Sequence, residues 1–398
     1  MSEPASVGTV SERLHALDLV RSMALLLGIL YHAALAFIPD YEFWLVMDSQ
    51  RSWPIDWVSY TLHSFRMVTF FLLAGFFAHM MLHRKGTSAF AWDRTKRILF
   101  PLLVFIMPVL FAFLFAMEFA AAIGADIMEL PPAEPSLADF DLTHLWFLWV
   151  LFLIYAVILV LRAVIVWLDR NSRFRLVVDN ALARILEFPF ALPILLAVPV
   201  GFLLQHYEPW TAWLGIPTPN IGFIPNATAF LSYFLAFAVG YLIHRLKRGL
   251  TPLAGQWLLY IPTALVVTVA SIILSDGPSG LPPTDENDRL VQAALYGLMI
   301  WLWTFGLIGL ALRFIRKESP TVRYLADSSY WLYIIHLPLL IALQAVVQKW
   351  ELPAELKLLL VMSVAMVIML ATYHLLVRFT WLGGWINGKR YRRRGITA

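Results

Sequence analysis

Hydrophobic and polar positions fall along this chain in long blocks. Ten apolar runs stand out, near 17–37, 58–82, 98–123, 144–168, 188–205, 226–244, 256–275, 290–313, 328–347 and 356–380. Crossing a bilayer as a helix takes roughly 20 apolar residues. A backbone in lipid must satisfy its own hydrogen bonds, so each run is expected to be helical. Pro101, Pro108, Pro189, Pro193, Pro199, Pro262 and Pro338 lie within them and predict kinks. No fixed-period repeat or low-complexity tract stands out. The fold class expected is all-α: a polytopic integral membrane protein of about ten transmembrane helices.

The polar stretches between the runs alternate in character. Basic residues gather in 83–97 (Arg84, Lys85, Arg94, Lys96, Arg97), in 169–187 (Arg170, Arg173, Arg175, Arg184), at 245–248, at 313–323 and in the tail from Lys389 to Arg394. The 124–143 stretch carries Asp126, Glu129, Glu134, Asp139 and Asp141 without a lysine or arginine. The positive-inside rule then places both termini in the cytoplasm. The chain divides into a cytoplasmic segment at 1–16, a ten-helix membrane domain at 17–380 and a basic cytoplasmic tail at 381–398. No signal peptide is read, because the first sixteen residues lack a basic n-region and a small-residue cleavage pattern.

Composition agrees. The 398 residues are 60% hydrophobic and 14% charged, with mean hydropathy +0.73, too much apolar surface for a soluble domain to hide. The net charge of +4 is spread through short loops, which suits an anionic lipid surface rather than nucleic acid. There is no cysteine, hence no disulfide framework or thiolate metal site.

Ionisable residues inside the runs carry the candidate chemistry, since charge at membrane depth is costly. The first run, LDLVRSMALLLGILYHAA, holds Arg21 at its start and His32 eleven residues on. That is a rise of roughly 16 Å and a return to within roughly 20° of the same face. One ridge thus carries a cation at the cytoplasmic mouth and an imidazole near mid-depth. A ligand with an anionic head and a reactive end, such as acyl-CoA, fits that ridge. Taken alone, Arg21 is equally read as an interfacial residue whose stem lies in the membrane.

Further polar groups fall at compatible depths. His63 and Arg66 share a face of the second run, with Arg66 near the depth of His32. His336 lies in the ninth run two residues before Pro338, and His144 opens the fourth. Each has a plainer reading: His144 as an interfacial anchor beside Trp146, His336 as a partner for a carbonyl freed by Pro338, His63 as support for Arg66. His79, His83, His374 and Arg378 are read as interface residues, Glu118 as solvated, and the tryptophans and tyrosines at helix ends as aromatic belts. The histidines sit on different helices without carboxylates at ligand spacing, so no metal site is expected.

The arginine, ten residues, then histidine of the first run resembles the membrane acyltransferase-3 family, which also has ten spans. FFLLAGFF (70–77) resembles that family's FFxxSGF segment and DRTKRILFP (93–101) its basic cytoplasmic stretch. HSFRMVTFFLLAGFF (63–77), THLWFL (143–148) and SSYWLYIIHLP (328–338) are similar to the glucan succinyltransferase branch. The likeness covers most of the chain, but over 169–320 it is one of hydropathy only. One departure is Ala74, which stands where the family segment has serine. A role resting on that hydroxyl has no support here, whereas Gly75 would still permit close helix approach.

The resemblance implies a bacterial inner-membrane O-acyltransferase that takes an acyl group from cytoplasmic acyl-CoA to a carbohydrate hydroxyl at the outer face. It implies Arg21 in the acyl-CoA site and His32 as catalytic base, and the basic cluster on the same membrane face adds Arg94 and Arg97 to that site. Arg66 or His336 would donate to the oxyanion. Arg66 is also the candidate to grip a succinyl carboxylate, and His63 and His144 are candidates for the acceptor side. Acyl-CoA, succinyl-CoA on this reading, is a co-substrate and no cofactor is expected. The partners are the bilayer and a periplasmic glucan or another carbohydrate, with no nucleic acid. Acetyl transfer to another envelope polysaccharide is the alternative within the class. A multispan secondary transporter is the alternative outside it, although the latter half of the chain holds no second copy of RSMALLLGILYH.

Overall fold

The computed structural model describes residues 10–39, 44–128, 140, 142–218, 222–246, 249–279, 285–315, 317, 319–387 and 391, with side chains throughout these ranges except at 10–14 and 387. The described residues are mostly helical, and among them a lone antiparallel bridge pairs Val46 with Ile127. Most of the N-terminal segment and basic tail, and with them Glu129, Glu134, Asp139, Asp141, Lys247, Arg248 and Arg316, lie outside the described residues.

The helices in chain order are α1 (Val10–Ala34), α2 (Trp53–Lys85), α3 (Thr87–Arg94), α4 (Phe100–Ala122), α5 (Trp146–Leu168), α6 (Arg173–Glu187), α7 (Ala191–Gln205), α8 (Ala227–Arg245), α9 (Thr251–Leu274), α10 (Glu286–Phe314), α11 (Pro320–Val347), α12 (Ala354–Thr372) and α13 (Trp381–Asn387). Among the described residues nine helical stretches are long and apolar enough to cross a membrane, and the bent pair α6–α7 supplies up to a tenth. The basic stretch at 83–97, expected as a loop, is helical: α3 runs through a π turn at Thr95–Leu99 straight into α4. That turn leaves carbonyls to be taken up from outside, and the Tyr330 hydroxyl and Trp385 Nε1 donate to Arg97 and Lys96 O.

The 169–187 stretch is not a loop either. It forms α6, whose axis turns 110° into α7. Asp169 caps it, accepting from the backbone N–H groups of Phe174 and Arg175 and from the Arg175 guanidinium at 3.0 Å. Burial pushes the Asp169 carboxyl up, but these donors outweigh it and hold the pKa below the usual range. Val178, Leu182 and Leu186 turn toward the bundle while Phe174, Leu176 and Val177 stay exposed, the pattern of a helix lying in an interface.

α7 starts where Phe190 packs on Tyr260, about a third of the way along α9, and ends where Arg289 of α10 donates to Gln205 O and Tyr207 O. It therefore crosses most of the bundle, its 15 residues giving a helix about 22 Å long. The start of α1 and the close of the α12 region consequently sit at one end of the bundle, with Lys85, Arg94, Arg97, Arg175 and Arg245. Call this the basic end.

Where helices cross closely, glycine makes room. A Cβ on Gly75 would lie 1.9 Å from Phe237 O, and one on Gly240 1.8 Å from Leu72 O, so α2 and α8 meet backbone to backbone. This is the close approach that the FFLLAGFF segment suggests, made without the serine. At the opposite end, the 44–52 loop is pinned by the Gln348 side chain, which bonds Met47 O and both backbone groups of Asp126. It is pinned too by a buried ion pair of Lys357 with Asp48 at 2.7 Å.

Candidate active site

α1, α2, α5, α8 and α11 enclose a cavity of about 210 Å³. Its walls bring together five residues singled out in the sequence: His32, His63, Arg66, His144 and His336. They come from four helical segments.

His32 Nδ1 lies 3.0 Å from His336 Nε2, and His336 Nδ1 lies 2.7 Å from Tyr333 O. A carbonyl can only accept, so His336 carries its proton on Nδ1 and offers the Nε2 lone pair. His32 must then donate from Nδ1, which leaves its own Nε2 bare. Among the described residues Nε2 takes no hydrogen bond, and the ring faces the cavity. The pair is thus a base held by an orienting partner, the geometry of activated proton transfer.

Pro338 explains part of this order. With no N–H, it cannot bond the carbonyl four residues back, Ile334 O. His144 Nε2 donates to that carbonyl at 3.1 Å, and the Tyr333 hydroxyl donates to His144 O at 2.7 Å. His144 is 6% exposed and packs edge-on against His336 at 4.7 Å, so it is a wall of the site and not an interfacial anchor. The freed carbonyl goes to His144, while His336 takes the neighbouring one.

Arg66 is 7% exposed, and no carboxylate pairs with it among the described residues. Its guanidinium lies 4.3 Å from the centre of the Tyr31 ring, and Nη2 lies 3.4 Å from His63 Nδ1. His63 donates from Nε2 to Leu214 O at 2.9 Å, which turns its Nδ1 lone pair toward Arg66. Nε of Arg66 is buried without a partner. A cation so placed keeps its charge for something that enters the cavity. Gly28, one turn before His32, leaves it room: a Cβ there would lie 2.9 Å from Arg66 Nη1.

Two connections fold over the far mouth. Trp44 donates to Gln344 Oε1 at 3.0 Å, and Gln344 in turn donates to His32 O and Ala33 O. Trp213 stacks 6.5 Å from His63 and donates to Asp56 Oδ1. Trp44, Trp146 and Trp213 therefore line the cavity and are not belt residues. Gly28, Tyr31, Trp44 and Trp213 were not singled out as site residues in the sequence. Gly28 and Tyr31 carried a signal, being neighbours of His32 on α1; Trp213 lies where only hydropathy could be matched.

Arg21, Arg94 and Arg97 do not line the cavity. Arg21 pairs with Asp18 at 3.1 Å and lies over Phe77, about one turn below Ala24 and Leu25 of the wall. Asp93 gathers Lys85 at 2.7 Å, Arg97 at 3.2 Å and Arg94. These cations stand at the basic end and are already partly neutralised by that carboxylate. His79, read as an interface residue, is packed inside, with His83 and His244 on its two ring nitrogens. Glu118 is exposed, as expected.

Glucans biosynthesis protein C of Escherichia coli (strain SMS-3-5 / SECEC) is 24% identical over 335 residues, spanning 83% of this chain and 82% of its own length. The same protein in Escherichia coli (strain K12) and Shigella boydii serotype 4 (strain Sb227) is 23% identical over the same shares. No solved structure matches. The acyltransferase-domain model of the acyltransferase-3 family matches residues 14–377, from α1 to the end of the α12 region, and the chain therefore belongs to that family of membrane acyltransferases.

Proposed function

We propose that the protein moves a succinyl group from acyl-CoA, presented at the basic end, to a hydroxyl of a glucan or similar carbohydrate at the opposite end. The observation that carries this reading is the cavity itself. It holds a bare imidazole nitrogen, His32 Nε2, and a buried guanidinium, Arg66, that has no carboxylate partner among the described residues. The similarity to Glucans biosynthesis protein C supports the carbohydrate acceptor. The positive-inside rule supports the cytoplasm as the side of the basic end, and the bacterial relatives support the inner membrane as the location.

In this reaction His32 Nε2 takes the proton of the acceptor hydroxyl as its oxygen attacks the thioester carbonyl. The Nδ1–H bond to His336 holds the ring in the required tautomer and disperses the imidazolium charge. The new C–O bond forms, and negative charge gathers on the former carbonyl oxygen. Collapse breaks the C–S bond, and the proton on His32 passes to the departing CoA thiolate. Arg66 serves the developing oxyanion or grips the far carboxylate of a succinyl group in the bidentate manner natural to arginine. His63 and His144 position these two groups. Trp44 and Trp213 give the acceptor sugar flat apolar faces at the far mouth. Arg21, with Arg94 and Arg97 beyond it, attracts the phosphates of the donor at the basic end.

The test is transfer by the purified protein. Labelled succinyl-CoA is supplied with and without an oligosaccharide glucan, and the label on sugar is counted. Glucan-dependent consumption supports the reading. Consumption with no label on the sugar would remove the acceptor class, and no consumption of any acyl-CoA would remove the donor.

A further inference from the structure

A second cavity, of about 500 Å³, lies at the basic end between α2, α5, α6 and α8, away from the site described above. Its polar wall carries Arg162, Arg175, Arg245, His79 and His83. Two of the arginines are matched: Arg175 binds Asp169 at 3.0 Å and Arg245 binds Asp179 at 2.8 Å. Arg162 lies against the Tyr241 hydroxyl, and no carboxylate pairs with it among the described residues. The group therefore keeps about one uncompensated positive charge. His79, with His83 and His244 on its two nitrogens at 3.0 and 2.7 Å, adds ring nitrogens to the same wall. These imidazoles chain to one another, and among the described residues no cluster is placed to hold a metal ion.

The other wall is apolar. Leu161, Ile165 and Val166 line the cavity and are 40%, 36% and 37% exposed on the surface of α5. The cavity thus opens sideways along a greasy helix face. Above it lies α6, with Phe174, Leu176 and Val177 exposed in the manner of an interfacial helix.

We propose that this cleft binds the headgroup phosphate of an anionic phospholipid, with the acyl chains lying along the exposed face of α5. The charge argues for a phosphodiester. One uncompensated cation matches a group of single negative charge, whereas the nucleotide end of an acyl-CoA carries several. The lateral apolar wall argues for a ligand with tails, and basic pockets between transmembrane helices bind anionic headgroups elsewhere. Arg162 holds the phosphate oxygen, and Tyr241 and His83 flank it.

Native mass spectrometry of the full chain, with phosphatidylglycerol and phosphatidylcholine in competition, tests this. The wild type is expected to retain phosphatidylglycerol selectively, and Arg162→Gln to lower that selectivity about fivefold, the effect of one interfacial cation. Arg162→Lys is expected to keep most of it. Should Arg162→Gln fail to fold, a photoactivatable phosphatidylglycerol on the wild type reads the same point: adducts are expected within 158–166 and near Leu242. Equal retention of the two lipids, adducts mapping elsewhere, or unchanged selectivity in a folded Arg162→Gln would overturn the proposal. Millimolar inorganic phosphate displacing the lipid as well as phosphatidylglycerol itself does would show a phosphate site without lipid. Displacement by free coenzyme A would make the cleft part of the donor channel. Either result would also overturn it.

Discussion

At the scale of residues the proposed chemistry turns on a single ring nitrogen, His32 Nε2, whose availability is decided by its neighbours. Tyr333 O fixes the tautomer of His336, and His336 fixes that of His32. His32→Gln keeps some shape and hydrogen bonding but cannot act as base, so transfer should fall by about 10²–10⁴-fold. Acyl-CoA binding and thermal stability should be retained, which separates loss of the base from loss of the fold. The wild-type rate should fall as pH drops and the imidazole takes a proton, because only the neutral ring can accept one. A folded His32→Gln protein working near the wild-type rate would transfer the role to His336. Arg66 offers a second residue-scale test. Arg66→Leu should abolish succinyl transfer while sparing acetyl transfer if it grips the carboxylate, and should depress both alike if it serves the oxyanion. Comparing the two donors in one preparation decides, and wild-type rates with both would remove both roles.

Within the elements, a proline and two glycines do what side chains do elsewhere. Pro338→Ala restores an N–H that competes with His144 for Ile334 O. A proline inside a helix costs about 3 kcal/mol relative to alanine. The substitution should therefore leave the melting temperature unchanged or raised while the turnover rate falls. A variant both stable and fully active would show that the kink has no part in ordering the histidines. Gly75→Leu should act in the opposite sense. The obstacle is Phe237 O at 1.9 Å from the new Cβ, a backbone atom that cannot swing aside, so overpacking should cost about 1–3 kcal/mol and lower the melting temperature. Apolar runs in the sequence reveal such elements but not their joints. The 169–187 stretch reads as a loop because its arginines interrupt the run, yet alternating sides turn it into α6. The 15-residue α7 is legible as the 188–205 run, but the 110° turn by which α6 leads into it is not. The π turn at Thr95–Leu99 leaves no trace in hydropathy.

Across the whole molecule, long-range pairing assembles what the separate spans only suggest. His32 and His336 are 304 residues apart in the chain and 3.0 Å apart in space. Depth counted along each span was enough to place Arg66 near the level of His32, because a helix advances by a fixed rise, but it left His144 at the outer interface. Which of them would touch depends on helix order and rotation, which a single sequence does not carry. Trp44 and Trp213 were hidden for the same reason, since connections fold back by tertiary contacts rather than by local pattern. The resulting architecture has a cluster of cations at the basic end, tryptophans at the other, and the His32 imidazole between them. The central claim is that acyl transfer itself carries the group from one side to the other. Sealed vesicles containing the protein, with a glucan enclosed and labelled succinyl-CoA added only outside, test it directly. The account predicts label on the enclosed glucan with the wild type and none with His32→Gln. Label appearing only when donor and glucan share one compartment would contradict it.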